Sequence, residues 1–148
     1  GVKMAVISQL RFSPAVKKLK EAVDGGLLGK IVVGDIYMKF YRSQEYYNKG
    51  GWRGTKAMDG GGALMNQGIH GVDLLRYIMG PVKTVFARTG TLARRIEVED
   101  TAAAVLEYEN GALGVIQATT SIYPGYPRRM EISGDKGTII LASRCRRI

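Results

Sequence analysis

The sequence predicts an α+β fold in which helices pack on one face of an open, mainly antiparallel β-sheet. The first half of the chain has two segments with helical spacing of apolar residues, and the second half has short segments that alternate between apolar and polar residues. Asn110-Gly111 separates two of those segments and indicates a hairpin, because both residues tolerate the positive φ of a tight turn. Successive hairpins beside amphipathic helices are typical of an α+β layer.

Length and composition predict one domain with its own core. The chain has 148 residues, of which 45% are hydrophobic and 24% are charged, as in ordinary globular proteins. No apolar run approaches the roughly 20 residues that cross a bilayer, so we expect no membrane partner. Cys145 is the only cysteine and cannot form an internal disulfide, which agrees with a cytoplasmic location.

The net charge of +9 raises the question of a nucleic-acid partner. Three of the basic residues, Arg144, Arg146 and Arg147, lie at the very end of the chain, and the others are dispersed. No basic block with interleaved aromatic residues and no nucleic-acid-binding motif is present, so we expect no nucleic-acid partner. The excess charge instead suits an anionic ligand, or is balanced by another part of a longer protein.

The first elements can be placed from their boundary residues. Residues 2–8 are apolar enough to predict a strand. Ser13-Pro14 predicts a helix start, with Ser13 as the N-cap, and Gly25-Gly26 predicts the end of that helix. Residues 30–42 predict a long strand with one more apolar face, which we expect in the core. That face carries Val32, Gly34, Ile36, Met38 and Phe40.

The later elements follow the same logic. Residues 43–62 lack periodicity, and a stretch of that kind inside a domain is more often functional than accidental. A helix is predicted over about residues 62–79, ended by Gly80-Pro81. The remaining segments alternate as strands do and comprise residues 82–92, 101–109, 112–122, 128–133 and 138–142.

The second helix carries a polar stripe formed by Asn66, His70, Asp73 and Tyr77. On an apolar helix such a stripe must be hydrogen-bonded or must line a wet cleft. Two interpretations remain open for His70, the only histidine. It is either a structural residue that donates to Asp73 or to a backbone carbonyl, or a general base that Asp73 orients.

Residues before this helix favour a binding site. The run Gly60-Gly61-Gly62 lets the backbone approach a ligand closely and directs the helix N-terminus at it. Trp52 offers a flat apolar face, and Arg53 offers a fork for anions. The only histidine has no Cys or Glu nearby, so we expect no metal site. The sequence contains no nucleophile elbow, so we expect no serine or cysteine triad.

Residues 51–80 resemble the second-domain signature of the Gfo/Idh/MocA family of NAD(P)-dependent oxidoreductases. The family pattern G-G-G-x-L-x-D-x-G-x-H-x-x-D corresponds here to residues 60–73, which read GGGALMNQGIHGVD. The resemblance extends over nearly the whole chain up to Leu141, and its further segments are residues 9–14, 26–33, 99–102 and 132–138.

The resemblance implies the fold of that second domain, similar to the C-terminal domains of dihydrodipicolinate reductase and glyceraldehyde-3-phosphate dehydrogenase. It also implies a reaction that transfers hydride between a nicotinamide cofactor, NAD or NADP, and a sugar or polyol carbon. By motif position, His70 exchanges the proton of the reacting hydroxyl, and Asn66 occupies the family's Asp position. An amide cannot act as a base but can hydrogen-bond the substrate. Arg11, Trp52 and Arg53 lie at positions that approach the cofactor in the family.

The chain departs from the family in what it lacks. It contains neither a G-x-G-x-x-G fingerprint nor the family's E-K-P motif. We therefore expect residues 1–12 to be a remnant of the last nucleotide-domain strand and its junction, residues 13–142 to be the substrate and oligomerisation domain, and residues 143–148 to be a tail. The parent protein is then an oxidoreductase acting on CH–OH groups, and the isolated piece is inactive. The alternative is a non-catalytic binding or assembly module with the same fold.

Five residues are candidates for contacts with the substrate or with another subunit. The candidate residues are Lys39, Tyr41, Tyr123, Tyr126 and Arg128. They either line a polar pocket for a sugar-like substrate, with Arg128 suited to a carboxylate or phosphate, or belong to edges and loops at a subunit contact. Apolar residues on both faces of the strand over residues 101–109 predict a homo-oligomer, a dimer or tetramer, that associates through the sheet.

Overall fold

A six-stranded sheet with helices on one face forms the protein in the computed structural model, which describes residues 1–142. The strands are β1 (Ile31–Lys39), β2 (Val82–Gly90), β3 (Thr101–Tyr108), β4 (Leu113–Thr119), β5 (Arg129–Gly134) and β6 (Thr138–Ala142). The α-helices are α1 (Pro14–Asp24), α2 (Gln44–Asn48) and α3 (Ile69–Met79). A 3₁₀ turn spans Gln9–Phe12, and a π-helical turn, Leu64–Gly68, leads into α3.

The strand order across the sheet is β2-β3-β4-β1-β5-β6. The central pair β1 and β4 is parallel, and the other neighbours are antiparallel. In the register, Ile36 of β1 stands opposite Ile116 of β4 and Met130 of β5. The predicted open, mainly antiparallel sheet is therefore confirmed.

The core lies between the sheet and helices α1 and α3. Ile36 and Met38 of β1 are fully buried there, as the strand pattern predicts. Val32 is 49% exposed, at the point where the pairing register between β1 and β5 shifts. Helix α3 crosses β1 so closely that a Cβ on Gly71 would overlap the Met38 sulfur. The absence of a side chain at Gly71 thus sets the distance between the helix and the strand.

Several boundary predictions differ from the structure, and the predicted strands 30–42 and 112–122 end earlier, at Lys39 and Thr119. Residues 2–8 form no strand, and Val2, Met4 and Val6 are 98%, 90% and 87% exposed, because no strand of the described sheet pairs with them and an unpaired strand is not stable in water. The helix predicted from residue 62 begins as a π-helical turn at Leu64. The 82–92 strand ends at Gly90. The predicted tail, with Cys145, lies outside the described residues.

Candidate active site

Glu99 holds the chain at the entrance to α3. Its carboxylate accepts hydrogen bonds from the Gly62 and Leu64 amides at 2.9 and 3.0 Å, and its carbonyl oxygen accepts one from Ala63 N at 2.9 Å. A Cβ on Gly62 would overlap that carbonyl oxygen. The prediction that the glycine run directs free helix amides at a ligand is therefore wrong, because Glu99 already accepts from them.

The π-helical turn sets the spacing of the polar stripe. Gly68 N donates to Ala63 O at 2.8 Å, a bond across five residues, and a Cβ on Gly68 would lie 2.9 Å from that oxygen. Wide turns of this kind are rare and occur frequently at functional sites. Here the turn lies between Asn66 and His70, and both side chains line one open cleft.

That cleft has a volume of about 320 Å³ and lies where α3 meets the ends of β1 and β5. Of the predicted site residues it brings together Asn66, His70 and Arg128. The complete lining is Phe40, Arg42, Tyr46, Asn66, Gln67, His70 and Arg128. The sequence patterns did not identify Arg42, although its position two residues after Phe40 places it on the same face of the β1 extension.

Asp59 fixes the Asn66 amide. Asn66 Nδ2 donates to Asp59 Oδ1 at 2.8 Å, and the second Asp59 oxygen accepts from Gly54 N at 2.8 Å. This arrangement leaves the Asn66 carbonyl oxygen as an acceptor for a hydroxyl of a ligand. Sequence reasoning missed Asp59, whose only signal is its place directly before the glycine run.

Asp73 pairs with Arg11 and not with His70. Arg11 Nε donates to Asp73 Oδ2 at 2.9 Å, and Arg11 Nη2 donates to Asp73 Oδ1. The hydrogen bonds from Arg11 hold the pKa of the Asp73 carboxyl below its usual value. A two-pronged guanidinium is a stronger partner for a carboxylate than one imidazole N–H, so the predicted hydrogen bond to His70 does not form. The Arg11 guanidinium also lies 4.9 Å from the centre of the Tyr77 ring.

Trp52 and Arg53 lie beside the cleft and are joined to it through Tyr46. The Arg53 guanidinium lies 4.7 Å from the ring centres of both Trp52 and Tyr46. Arg53 Nη1 donates to Lys49 O at 2.7 Å, whereas its buried Nε has no acceptor among the described residues. Trp52 is 38% exposed. The pair thus presents a flat ring and a guanidinium next to His70's cleft.

The five predicted substrate residues occupy three places. Arg128 lines the His70 cleft, where burial lowers the pKa of its guanidinium, and it lies 6.0 Å from the Phe40 ring centre. Tyr41 and Tyr123 stack edge to face at 5.3 Å. Lys39 and Tyr126 line a separate cavity of about 390 Å³ with Tyr37, Pro127, Arg129 and Glu131. Side chains alternate along a strand, so Lys39 and Phe40 face opposite sides of the sheet.

Asp100 organises the other side of the cleft. It is fully buried and accepts hydrogen bonds from the Leu92, Ala93 and Arg94 amides at 3.0, 2.7 and 2.8 Å. Burial alone would raise the pKa of Asp100, but these hydrogen bonds outweigh it, and the pKa lies below its usual value. Arg94 Nε in turn donates to Arg42 O at 2.6 Å, which anchors the Arg42 backbone.

Within residues 1–142, no group of three or more His, Cys, Asp or Glu side chains is arranged to hold a metal ion. None of the helices in the same range is both long enough and apolar enough to cross a membrane.

Comparison with known proteins identifies the family. The model of the GFO/IDH/MocA C-terminal domain matches residues 16–140. The myo-inositol 2-dehydrogenase of Thermotoga maritima is 36% identical over 136 residues, which cover 87% of this chain and 38% of that protein.

Solved structures of dehydrogenases have the same fold as this chain. The WlbA dehydrogenase from Bordetella pertussis, in complex with NADH and UDP-GlcNAcA, superposes with a TM-score of 0.91 at 41% identity, covering 96% of this chain and 43% of that one. A levoglucosan dehydrogenase in complex with NADH and levoglucosan superposes with a TM-score of 0.83 at 27% identity. The match covers 91% of this chain and 39% of that one. The chain thus spans about two fifths of the length of these relatives. The family match and the shared open sheet together show that this chain belongs to the GFO/IDH/MocA family and corresponds to its C-terminal domain.

Proposed function

We propose that this chain is the substrate-binding and oligomerisation domain of an NAD(P)-dependent oxidoreductase. The reaction transfers hydride between the nicotinamide and a hydroxyl or carbonyl carbon of a sugar, sugar derivative or polyol. The observation that carries the proposal is the cleft in which His70 and Asn66 stand together on the family's fold. Relatives that act on myo-inositol, or that bind NADH with a sugar-like ligand, support the reaction class.

His70 is the group that takes the proton from the substrate hydroxyl oxygen during oxidation and returns it during reduction. Asn66 accepts a hydrogen bond from a neighbouring substrate hydroxyl, because Asp59 holds the amide N–H side. When bound, the cofactor accepts or donates the hydride. Asp73 is a positioning residue: through Arg11 it ties α3, and with it His70, to the Gln9–Phe12 turn.

Two of the three predicted cofactor residues fit a contact with NAD or NADP. Trp52 exposes a flat ring, and Arg53 has a buried Nε without an acceptor among the described residues, so both have unused binding capacity beside the cleft. Arg11 fits direct cofactor binding less well, since two of its N–H groups already donate to Asp73. We therefore assign Arg11 to the support of α3 at the predicted junction with a nucleotide domain, residues 1–12.

The two faces of the sheet divide the remaining roles. Arg128 on the helix face binds substrate, whereas Lys39 and Tyr126 on the open face, with the stacked Tyr41 and Tyr123, belong to subunit contacts. The open face also exposes apolar side chains of three adjacent strands, and a second copy of the chain would bury them in a dimer or tetramer. These are Phe86 (69% exposed), Val105 (52%) and Leu113 (55%). We place this enzyme in the cytoplasm.

The test uses the full-length protein that contains this chain and a panel of sugars and polyols with NAD⁺ or NADP⁺. We expect cofactor reduction with at least one sugar-type substrate, and loss of most of that rate in His70→Asn, which retains the size and hydrogen bonding of the ring approximately. The 148-residue chain alone should be inactive. Full turnover by the isolated chain would contradict the assignment.

One observation favours a second function, a non-catalytic sugar-binding or assembly module. The family's Asp position holds Asn66, so one acid–base group of the motif is absent. Sugar binding by the full-length protein without any NAD(P)-dependent turnover would support this module.

A further inference from the structure

The hydrogen-bonding polarity of the cleft at His70 depends on a carboxylate that does not line it. Asn66 is part of the cleft wall, whereas Asp59 is not. Asp59 Oδ1 accepts a hydrogen bond from Asn66 Nδ2 at 2.8 Å. The nitrogen of the Asn66 amide is therefore turned to Asp59, and its oxygen is the atom that remains for a ligand in the cleft.

The backbone holds the Asp59 carboxylate from its other side. Asp59 Oδ2 accepts from Gly54 N at 2.8 Å, and Gly54 O accepts from Glu97 N at 2.9 Å. Gly54 is buried, and a Cβ on it would overlap the Ile96 side chain. The Gly54 N–H is thus a fixed donor. Since an ionised carboxylate only accepts hydrogen bonds, Asp59 needs a second donor on its Oδ1.

The opposite orientation of the Asn66 amide is unfavourable. If the amide turned over, its oxygen would face Asp59 Oδ1, and two acceptors would lie at hydrogen-bonding distance without a proton between them. The observed orientation instead gives a hydrogen bond to a charged acceptor, which is stronger than one between neutral groups. With Asp59 behind it, Asn66 therefore presents an acceptor to the cleft and not a donor.

We propose that Asp59 is a specificity-determining residue, because it fixes Asn66 as an acceptor and so selects substrates with a hydrogen-bond donor beside the reacting hydroxyl. This inference rests on the proposed dehydrogenase function, in which His70 exchanges the proton of that hydroxyl. The donor is an O–H or N–H group on a neighbouring carbon of the sugar or polyol. A ketone, an ether or a fluorine at that carbon places an acceptor against the Asn66 oxygen and is rejected.

The isosteric variant Asp59→Asn should reverse this polarity. The Gly54 N–H still needs an acceptor, so the new amide turns its oxygen to Gly54 and its NH₂ group to Asn66. Asn66 then turns over to accept, and it presents its own NH₂ group to the cleft. A purely structural role of Asp59 would instead weaken the binding of all ligands alike.

The swapped pair Asp59→Asn/Asn66→Asp should restore the original preference. The introduced amide donates to the introduced carboxylate, whose second oxygen again offers an acceptor to the cleft. Asp135→Asn is the matched control. Asp135 Oδ1 also accepts from a backbone amide, Lys30 N at 2.8 Å, but Asp135 lies in the turn between β5 and β6.

The orientation of the amide can be measured without a ligand. In the full-length protein that contains this chain, NMR of isotope-labelled asparagine reports how fast each side-chain NH₂ group exchanges with water. The Asn66 NH₂ group should exchange about tenfold more slowly in the wild type than in Asp59→Asn, because only the wild type holds it in a hydrogen bond. Equal exchange in the two proteins would overturn the proposal, whether or not a sugar binds.

The selectivity is measured by calorimetry on the same full-length protein. The probes are glucose and myo-inositol, each compared with its monodeoxyfluoro derivatives. Fluorine is close to a hydroxyl in size but donates no hydrogen bond, so the derivative substituted at the position that faces Asn66 should bind the wild type about tenfold more weakly. That loss should disappear in Asp59→Asn, return in the swapped pair and persist in Asp135→Asn. A loss of equal size in the wild type and Asp59→Asn would overturn the proposal.

Turnover separates this proposal from the function on which it rests. For substrates with the neighbouring donor, Asp59→Asn should raise KM with a smaller effect on kcat, since Asp59 acts on binding and His70 on proton transfer. NAD(P)-dependent turnover together with equal affinity for the hydroxyl and fluoro forms would refute the donor selection and leave the dehydrogenase function intact. Donor-selective binding without any turnover would refute the function while the role of Asp59 stands.

Discussion

Asp100→Asn should destabilise the domain more than any other single-atom change that the structure suggests. The Asp100 carboxylate is fully buried and has four donors: Oδ2 accepts from the Ala93 and Arg94 amides, and Oδ1 accepts from the Leu92 amide and the Thr101 hydroxyl. Asparagine has the same shape, but one oxygen becomes an NH₂ group. Two of the four donors around residue 100 then face the NH₂ group, which cannot accept a hydrogen bond.

The magnitude follows from the less damaging orientation of the amide. With the Asn carbonyl toward Ala93 and Arg94, the NH₂ group faces Leu92 N and the Thr101 hydroxyl, and a hydroxyl can rotate to accept. The buried Leu92 N–H is then left without an acceptor. The remaining hydrogen bonds become weaker, because their acceptor is no longer charged. Hydrogen bonds to charged groups contribute about 1.5–3 kcal/mol, so the expected loss is about 2–3 kcal/mol. For a domain of this size that lowers Tm by roughly 5–10 °C.

The pH dependence supplies the decisive assay. The pKa of Asp100 is lowered in the folded protein, so its contribution is complete above the unfolded-state value of about 3.9 and is lost as the pH falls through the lower folded-state pKa. Urea unfolding of the wild type and Asp100→Asn should show the full difference at pH 7 and a shrinking difference below about pH 4.

Asp24→Asn is the control for this experiment. Asp24 pairs with Lys20 at the exposed end of α1, and an exposed pair contributes about 0–1 kcal/mol. A loss in Asp100→Asn no larger than in Asp24→Asn would refute the reasoning. So would a loss that stays constant between pH 7 and pH 3, because the charged carboxylate would then not be its source.

Three more predictions concern packing, catalysis and assembly. Gly71→Ala places a methyl group against Met38 and should cost about 1–3 kcal/mol in urea unfolding; an unchanged midpoint would contradict the close helix–strand contact. His70→Ala in the full-length protein should lower kcat roughly 10²–10⁴-fold with little change in substrate Kd, and a change confined to KM would indicate binding alone. Phe86→Glu on the exposed open face should reduce the mass in light scattering to that of a monomer, and an unchanged oligomer would rule out this face.

Local signals in the sequence were sufficient to predict the helix start at Ser13, the helix end at Gly80 and the hairpin turn at Gly111. Ser13 Oγ accepts from Val16 N at 3.3 Å at the start of α1, as an N-cap does. Gly80 and Gly111 have φ of 89° and 83°, which explains the helix end and the hairpin turn predicted at these residues. Each of these features depends on neighbours within a few residues, and such neighbours can be read from one sequence.

The features that could not be predicted depend on partners distant in the chain. Arg11 and Asp73 are 62 residues apart, and the pair of Glu99 and Gly62 is separated by 37. The spacing of residues along the sequence contains no information on such contacts. The polar stripe therefore suggested a hydrogen bond between His70 and Asp73, whereas in the structure Arg11 donates to both Asp73 oxygens. The parallel pairing of β1 with β4 is of the same kind, because hairpin signals describe only consecutive strands.

The adjacent residues Glu99 and Asp100 hold the two sides of the cleft in place. Glu99 accepts from the amides that begin the turn before α3, on the side that carries Asn66 and His70. Asp100 accepts from the Arg94 amide, and the Arg94 side chain donates to the Arg42 carbonyl oxygen on the opposite side. The short connection into β3 thus helps to fix the distance between His70 on one side of the cleft and Arg42 on the other. A substitution at either carboxylate should therefore alter substrate selection although neither side chain lines the cleft.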